Sequence, residues 1–207
     1  MLKLCLTAIV GCAIGLNASA GVVYSFGNIT GNDVNDAANG ESQLFVEVDA
    51  VGLTQVSFTF TNTGPHAMSI TDVYFDDGTL LGIATIINGG SGVSFATGAA
   101  PPNLPGGNTL SPAFVTTAGF SADSNPPAQP NGVNPGEWLT VVFNLLPGVT
   151  YADTINALNT TGDHLRIGIH VQGFAGGGSE SFVNNVPVPG SLALAGVAGL
   201  LASRRRR

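Results

Sequence analysis

The side chains able to do chemistry are few. Between Gly21 and Asn185 there are three histidines (His66, His164 and His170), one basic residue (Arg166), thirteen Asp and Glu residues, and no cysteine. Thiol catalysis is therefore absent from this stretch, and a serine hydrolase would have to draw its base from those three histidines. No G-x-S-x-G elbow occurs: Gly177-Gly178-Ser179-Glu180-Ser181 fails at its last position. There is no P-loop and no dinucleotide fingerprint. His164, Arg166 and His170 fall on one face of a predicted strand, but six residues of strand put the two histidines ~20 Å apart, too far to share a metal. They are read as an outward polar face. His66 follows Gly64-Pro65 and is expected in an exposed turn.

The acidic residues offer a different chemistry. Asp33, Asn35, Asp36, Asn39 and Glu41 bring oxygen donors close together in sequence, which suits Ca²⁺. The order departs from an EF-hand loop, with Ala37 where an oxygen donor belongs. Asp33, Asp36 and Glu41 are the candidate ligands, and Asp72, Asp76 and Asp77 form a second acidic group. Solvated loop acids are the competing reading. No other cofactor is implied. Trp138, Tyr24, Tyr74 and Tyr151 could stack on sugar rings, although core packing is the expectation for Trp138. No carboxylate pair can be assigned as a glycosidase acid and nucleophile.

These side chains must be positioned by strands. Gln55–Asn62 alternates strictly, with Val56, Phe58 and Phe60 inward and Ser57, Thr59 and Thr61 outward. Leu44, Val46 and Val48 share one face, as do Leu165, Ile167, Ile169 and Val171. Further strands are expected near Val22–Phe26, Ser69–Phe75, Thr79–Ile87, Val93–Ala96 and Glu137–Leu145, while Ser181–Asn185 leads into the C-terminal segment. Asp77-Gly78 reads as a hairpin turn joining the strands on either side of it. Residues 28–41 read as a loop. So does 99–136, rich in Pro, Gly, Asn and Ser, with a brief strand at Phe114-Val115. Tyr151–Leu158 reads as a helical turn or a connection. The fold class is all-β: one domain, 21–185, built as an antiparallel β-sandwich of jelly-roll or immunoglobulin-like type, large enough to bury about 70% of its unfolded surface. With acids far outnumbering the single Arg166, nucleic acid is excluded as a partner.

The two ends differ from this body. Met1, Leu2 and Lys3 precede an apolar run from Leu4 to Leu16, and Ala18-Ser19-Ala20 supplies small residues for signal peptidase. Residues 1–20 are thus expected to be a signal peptide, with Ala18 and Ala20 at the cleavage site and Gly21 the first residue after it. Ile9-Val10-Gly11-Cys12 also fits a lipoprotein box; the apolar run continues past Cys12, which favours the Ala-Ser-Ala site. Residues 186–207 combine Val186-Pro187-Val188-Pro189-Gly190, a neutral run, and Arg204, Arg205, Arg206 and Arg207. As a helix, Ser191–Ser203 would reach only about 20 Å, against a hydrocarbon core of about 30 Å. The arginines would hold this end on the cytoplasmic side.

This order of motif, short apolar helix and Arg cluster resembles the PEP-CTERM sorting signal of exported bacterial proteins. Pro187-Val188-Pro189 stands where that family has Pro-Glu-Pro. The stretches SADSNPP, GVNPGE and RIGIHVQGF also look like those in a group of such proteins. The resemblance implies processing by exosortase, an integral-membrane cysteine peptidase, and an envelope or extracellular-matrix role with exopolysaccharide as a partner. The expected course is export, transient insertion in the inner membrane through the C-terminal helix, then display or release. The expected protein is non-catalytic. Its alternative is a carbohydrate- or calcium-binding adhesion module, and a hydrolase is a third class.

Overall fold

The computed structural model describes residues 21–76, 78–162 and 164–185. The expected signal segment (Ala18 and Ala20 included) and the expected sorting segment (Val186, Pro187, Pro189, Gly190 and Arg204 to Arg207) lie outside the described residues, as does Asp77. Ten strands and three helices follow in the order β1 (Val22–Asn28), α1 (Val34–Gln43), β2 (Leu44–Val51), β3 (Gln55–Asn62), β4 (Ser69–Asp76), β5 (Leu80–Gly89), β6 (Phe95–Thr97), β7 (Ser121–Ser124), α2 (Ala128–Asn131), β8 (Trp138–Leu145), α3 (Tyr151–Leu158), β9 (Arg166–Gln172) and β10 (Ser179–Asn184).

The strands form one antiparallel sheet in the order β5-β8-β3-β2-β1-β10-β9-β4-β7-β6. β1 joins its two halves: Val22 to Ser25 pair with β2, whereas Phe26 to Asn28 pair with β10. The sheet curls until it is nearly closed, like a barrel. Its two end strands meet where the Asn88 side chain of β5 accepts a hydrogen bond from the backbone N–H of Phe95 in β6 (2.8 Å).

Alternation decides which side chains enter the core. Val56, Phe58 and Phe60 are fully buried, as are Leu44, Val46 and Val48 of β2 and Ile167, Ile169 and Val171 of β9. Phe75 of β4 meets Phe58 and Phe143 edge to face, at 4.9 and 4.6 Å between ring centroids. Since β4 belongs to one half of the sheet and β3 and β8 to the other, these rings join the halves through the core. Helix α3 carries a capping box, Thr150 with Asp153, and packs Tyr151, Ile155 and Leu158 against the same core.

Three expectations need correction. First, the Asp77-Gly78 hairpin does not form: β4 pairs with β7 and β9, while β5 pairs with β8. The connection instead crosses from one half of the sheet to the other, because Phe75 must face Phe143 across the core. Second, residues 28–41 are not all loop. Asp33 caps α1 by accepting hydrogen bonds from the N–H groups of Asn35 and Asp36 (2.8 and 3.1 Å). The helix was hard to see because its buried members are Gly40 and Gln43. Gly40 is there because its Cα lies against the ring of Phe182, leaving no room for a β-carbon. Third, the segment 99–136 contains β7 and α2, and Phe114 is a buried packing residue, not part of a strand. β7 reads Ser-Ala-Asp-Ser, with no apolar alternation to announce it; its ladders with β4 and β6 hold it in place.

Candidate functional site

The acids singled out for Ca²⁺ lie at the start of α1 and along it, and two of the three are already engaged. Asp33 spends one carboxylate oxygen on the helix cap, and Glu41 accepts from the N–H of Asn28 (2.9 Å). Asp36 is exposed in the first turn; slight burial, then the nearby Asp33 and Glu180 carboxylates, push its pKa up. Among the described residues, no group of three or more His, Cys, Asp or Glu side chains is placed to hold a metal ion. The calcium expectation gains no support from this placement.

The carboxylate that organises this corner is one the sequence did not mark. Glu180 of β10 accepts hydrogen bonds from the Thr30 hydroxyl, from Asn28 Nδ2 (2.9 Å) and from the N–H of Asp33 (2.6 Å). Burial opposes its ionisation, but these donors together with the Asn32 N–H outweigh it and hold its pKa below the ordinary value. Glu180 is thus a peg that fixes the start of α1 on the sheet.

A second carboxyl group lies across the sheet. A β-bulge in β4 between Ile70 and Asp72 lets Ile70, Val73 and Phe75 all enter the core while Asp72 and Tyr74 turn outward. Asp72, only 3% exposed, pairs with Asp123 of β7 and with His170 of β9. Thr71 donates to Asp72 Oδ2 (2.9 Å), and Oδ1 has no protein partner. Burial pushes the Asp72 pKa up to about 7, partly offset by the Thr71 hydrogen bond and reinforced by Asp123. His170 is pushed down by burial and contacts Ser181 Oγ at 3.1 Å. This Ser–His contact joins two buried side chains across neighbouring strands, with Ser181 wholly out of reach of solvent. His164 is exposed beyond the end of β9, and His66 is exposed as expected.

Beside this pair, the outer surface of β4 and β9 is covered. Tyr74, Leu104 and Phe114 form a small second core, and Gly168 leaves space for it: a β-carbon there would press on Leu104 and Phe114. Arg166 pins the strap down. Its guanidinium donates to Asp76 and to the carbonyls of Pro112 (2.8 Å) and Ala113 (2.6 Å), and lies 5.3 Å from the Phe114 ring centroid. A pocket of about 500 Å³ between Pro101, Leu104, Asn108 and Phe114 is lined by no titratable side chain.

The outer surface of β3 and β8 carries the feature that corrects the sequence reading most directly. Trp138 was expected in the core, but it is 41% exposed. It sits at the first position of β8, on the face opposite to Leu139, Val141 and Phe143, which are buried. Gly89 of β5 is its cross-strand partner, and a β-carbon on Gly89 would run into the atoms at the fused edge shared by the two indole rings. The indole therefore lies flat over the Gly89 backbone, with its other face toward solvent. Along the same face, Thr59 and Thr140 share a hydrogen bond (2.8 Å), and Gln55 donates to Asn144 (2.9 Å). The sequence signal for this was the Gly89-Gly90 pair, legible only once β5 was known to pair with β8. Comparison of the chain with family models, curated proteins and solved structures found no match.

Proposed function

We propose that this chain is a non-catalytic, exported surface or extracellular-matrix protein, sorted through its C-terminal segment by an exosortase-type membrane peptidase after signal peptidase has cut before Gly21. The observation that carries this reading is where the two ends of the body leave the sheet. β10 runs antiparallel to β1, and Asn185 donates its backbone N–H to the carbonyl of Ser25 (2.9 Å). Gly21 lies only four residues further along, about 13 Å of strand. Both ends therefore exit at the same end of the sheet. This geometry suits a body that emerges between a leader at one end and a sorting segment at the other in one membrane. Among the described residues, the sheet begins at Val22 and ends at Asn184.

In the finer classification, the body is a β-sandwich of jelly-roll or immunoglobulin type. Two observations support that classification: β1 changes partner along its length, and the Phe58, Phe75 and Phe143 rings join the two halves of the sheet through the core. The acidic surface suits an extracellular environment. Intact-mass analysis of the protein exported by its native cell tests the reading: the expected form starts at Gly21 and lacks Arg204 to Arg207. An extracellular form still carrying Arg207 would overturn it.

A further inference from the structure

We propose that the outer face of β3 and β8 is a binding platform for a neutral polysaccharide chain, with Trp138 as its stacking residue. This goes beyond the sorting reading and does not depend on it, since it concerns the body alone.

Three observations converge. Trp138 is 41% exposed, and Gly89 lets one face of its indole rest on backbone. A large aromatic surface held flat on a rigid sheet suits the apolar C–H face of a pyranose ring, and the rigidity means that little conformational freedom is lost on binding. Beyond the ring, the strip toward Asn144 spans six residues of strand, about 20 Å, and carries the part-exposed Gln55, Thr59 and Asn144, with Thr59 bonded to the buried Thr140 and Gln55 to Asn144. Hydroxyl and amide groups can both donate and accept, as sugar hydroxyls do. The charge of the body selects among sugars. Arg166 is the one basic residue between Gly21 and Asn185, and it is committed to Asp76. The strip thus has no cation with which to pair a uronate or a sulfated sugar, and the carboxylates of the body repel both. A neutral chain fits. A second protein fits less well: Trp138 with the half-exposed Ile87 beside it offers far less apolar area than the ~800 Å² per partner of a standard interface.

Trp138 is the only tryptophan in the chain, so its fluorescence reports on this site alone. The full-length protein would be titrated with hydroxyethylcellulose, galactomannan and xylan as neutral probes and with alginate as the anionic one, and run in native gels containing each. The expected result is a saturable change in emission with protection from acrylamide quenching for at least one neutral polymer, and none for alginate. Trp138→Ala should weaken retardation in the gel at least tenfold. Thr59→Val with Thr140→Val, which keeps the indole and the fold, should weaken it several-fold. Val115→Ala, on the covered face, should leave it unchanged. No response to any neutral polymer, or retardation indifferent to Trp138→Ala, would overturn the proposal. So would an emission change that follows protein concentration instead of polymer, which would make the face a contact between copies of this chain.

Discussion

The two halves of the sheet share one core but treat their outer faces in opposite ways. On β4 and β9 the outward positions include Tyr74 and Gly168, and a strap of chain carrying Leu104 and Phe114 lies over them. On β3 and β8 they include Ser57, Thr59, Thr140, Val142 and Asn144, of which Thr59 and Asn144 are part-exposed, and an indole that is 41% exposed lies flat at one end. An antiparallel sheet can leave one face to water when that face carries polar side chains. Over β4 and β9 a strap of chain reaches the outward Tyr74 and buries it, whereas Trp138 on β8 stays 41% exposed. The difference shows that backbone pairing alone does not decide where a sheet is accessible. Outward side chains decide it, together with whether a distant loop can reach them.

The largest test of this contrast is Phe114→Ala. It empties the middle of the strap and removes the ring that Arg166 lies against, so unfolding in urea should show a loss of roughly 3–5 kcal/mol. Thr59→Ala on the open face should cost no more than about 0.5 kcal/mol, and equal costs at the two positions would refute the distinction between covered and open faces. Next comes Arg166→Met. It keeps much of the packing against Phe114 but leaves the Asp76 carboxylate mostly buried without its partner, with an expected cost of about 3 kcal/mol. A smaller loss would mean that the strap is held by its apolar contacts alone.

The third test uses pH. Asp72 has a folded-state pKa raised to about 7 by burial, against about 3.9 in an unfolded chain. The folded protein therefore holds an extra proton between these values. That contribution to stability is complete below about pH 4 and is lost as pH rises toward 7. Glu180 acts in the other direction: its pKa is depressed, so its contribution is lost as pH falls below the usual carboxylate range. The melting temperature should rise on acidification from pH 8 to pH 5 and fall at still lower pH. Asp72→Asn should flatten the first limb and leave the second. A first limb unchanged by this substitution would assign the dependence elsewhere. The smallest change is Gly89→Ala, which should lift the indole off the strand, alter Trp138 emission and weaken polysaccharide retention while costing little stability.

Much of the core could be read directly from residue order. Period-two alternation put Val56, Phe58 and Phe60 on one face, and the same rule located β2 and β9, because burial on one side of a strand leaves its mark at every second residue. Tyr151–Leu158 was open in the sequence as a helical turn or a connection, and the structure resolves it as a helix capped by Thr150. The composition of Gly21 to Asn185 also showed, without any fold, that this stretch holds no cysteine and a single basic residue, Arg166. What tertiary structure alone decided was pairing and exposure. Asp77-Gly78 has the composition of a hairpin, yet β4 and β5 part company because the core needs Phe75 opposite Phe143. Nothing in residue order marked Glu180 or Asp123; their surroundings arise where their strands meet Asn28, Thr30 and Asp72. Trp138 looked like core because it is large and apolar. Its side of the strand, and the glycine beneath it, depend on which strand lies next to β8, and that is a property of distant parts of the chain that no local pattern records.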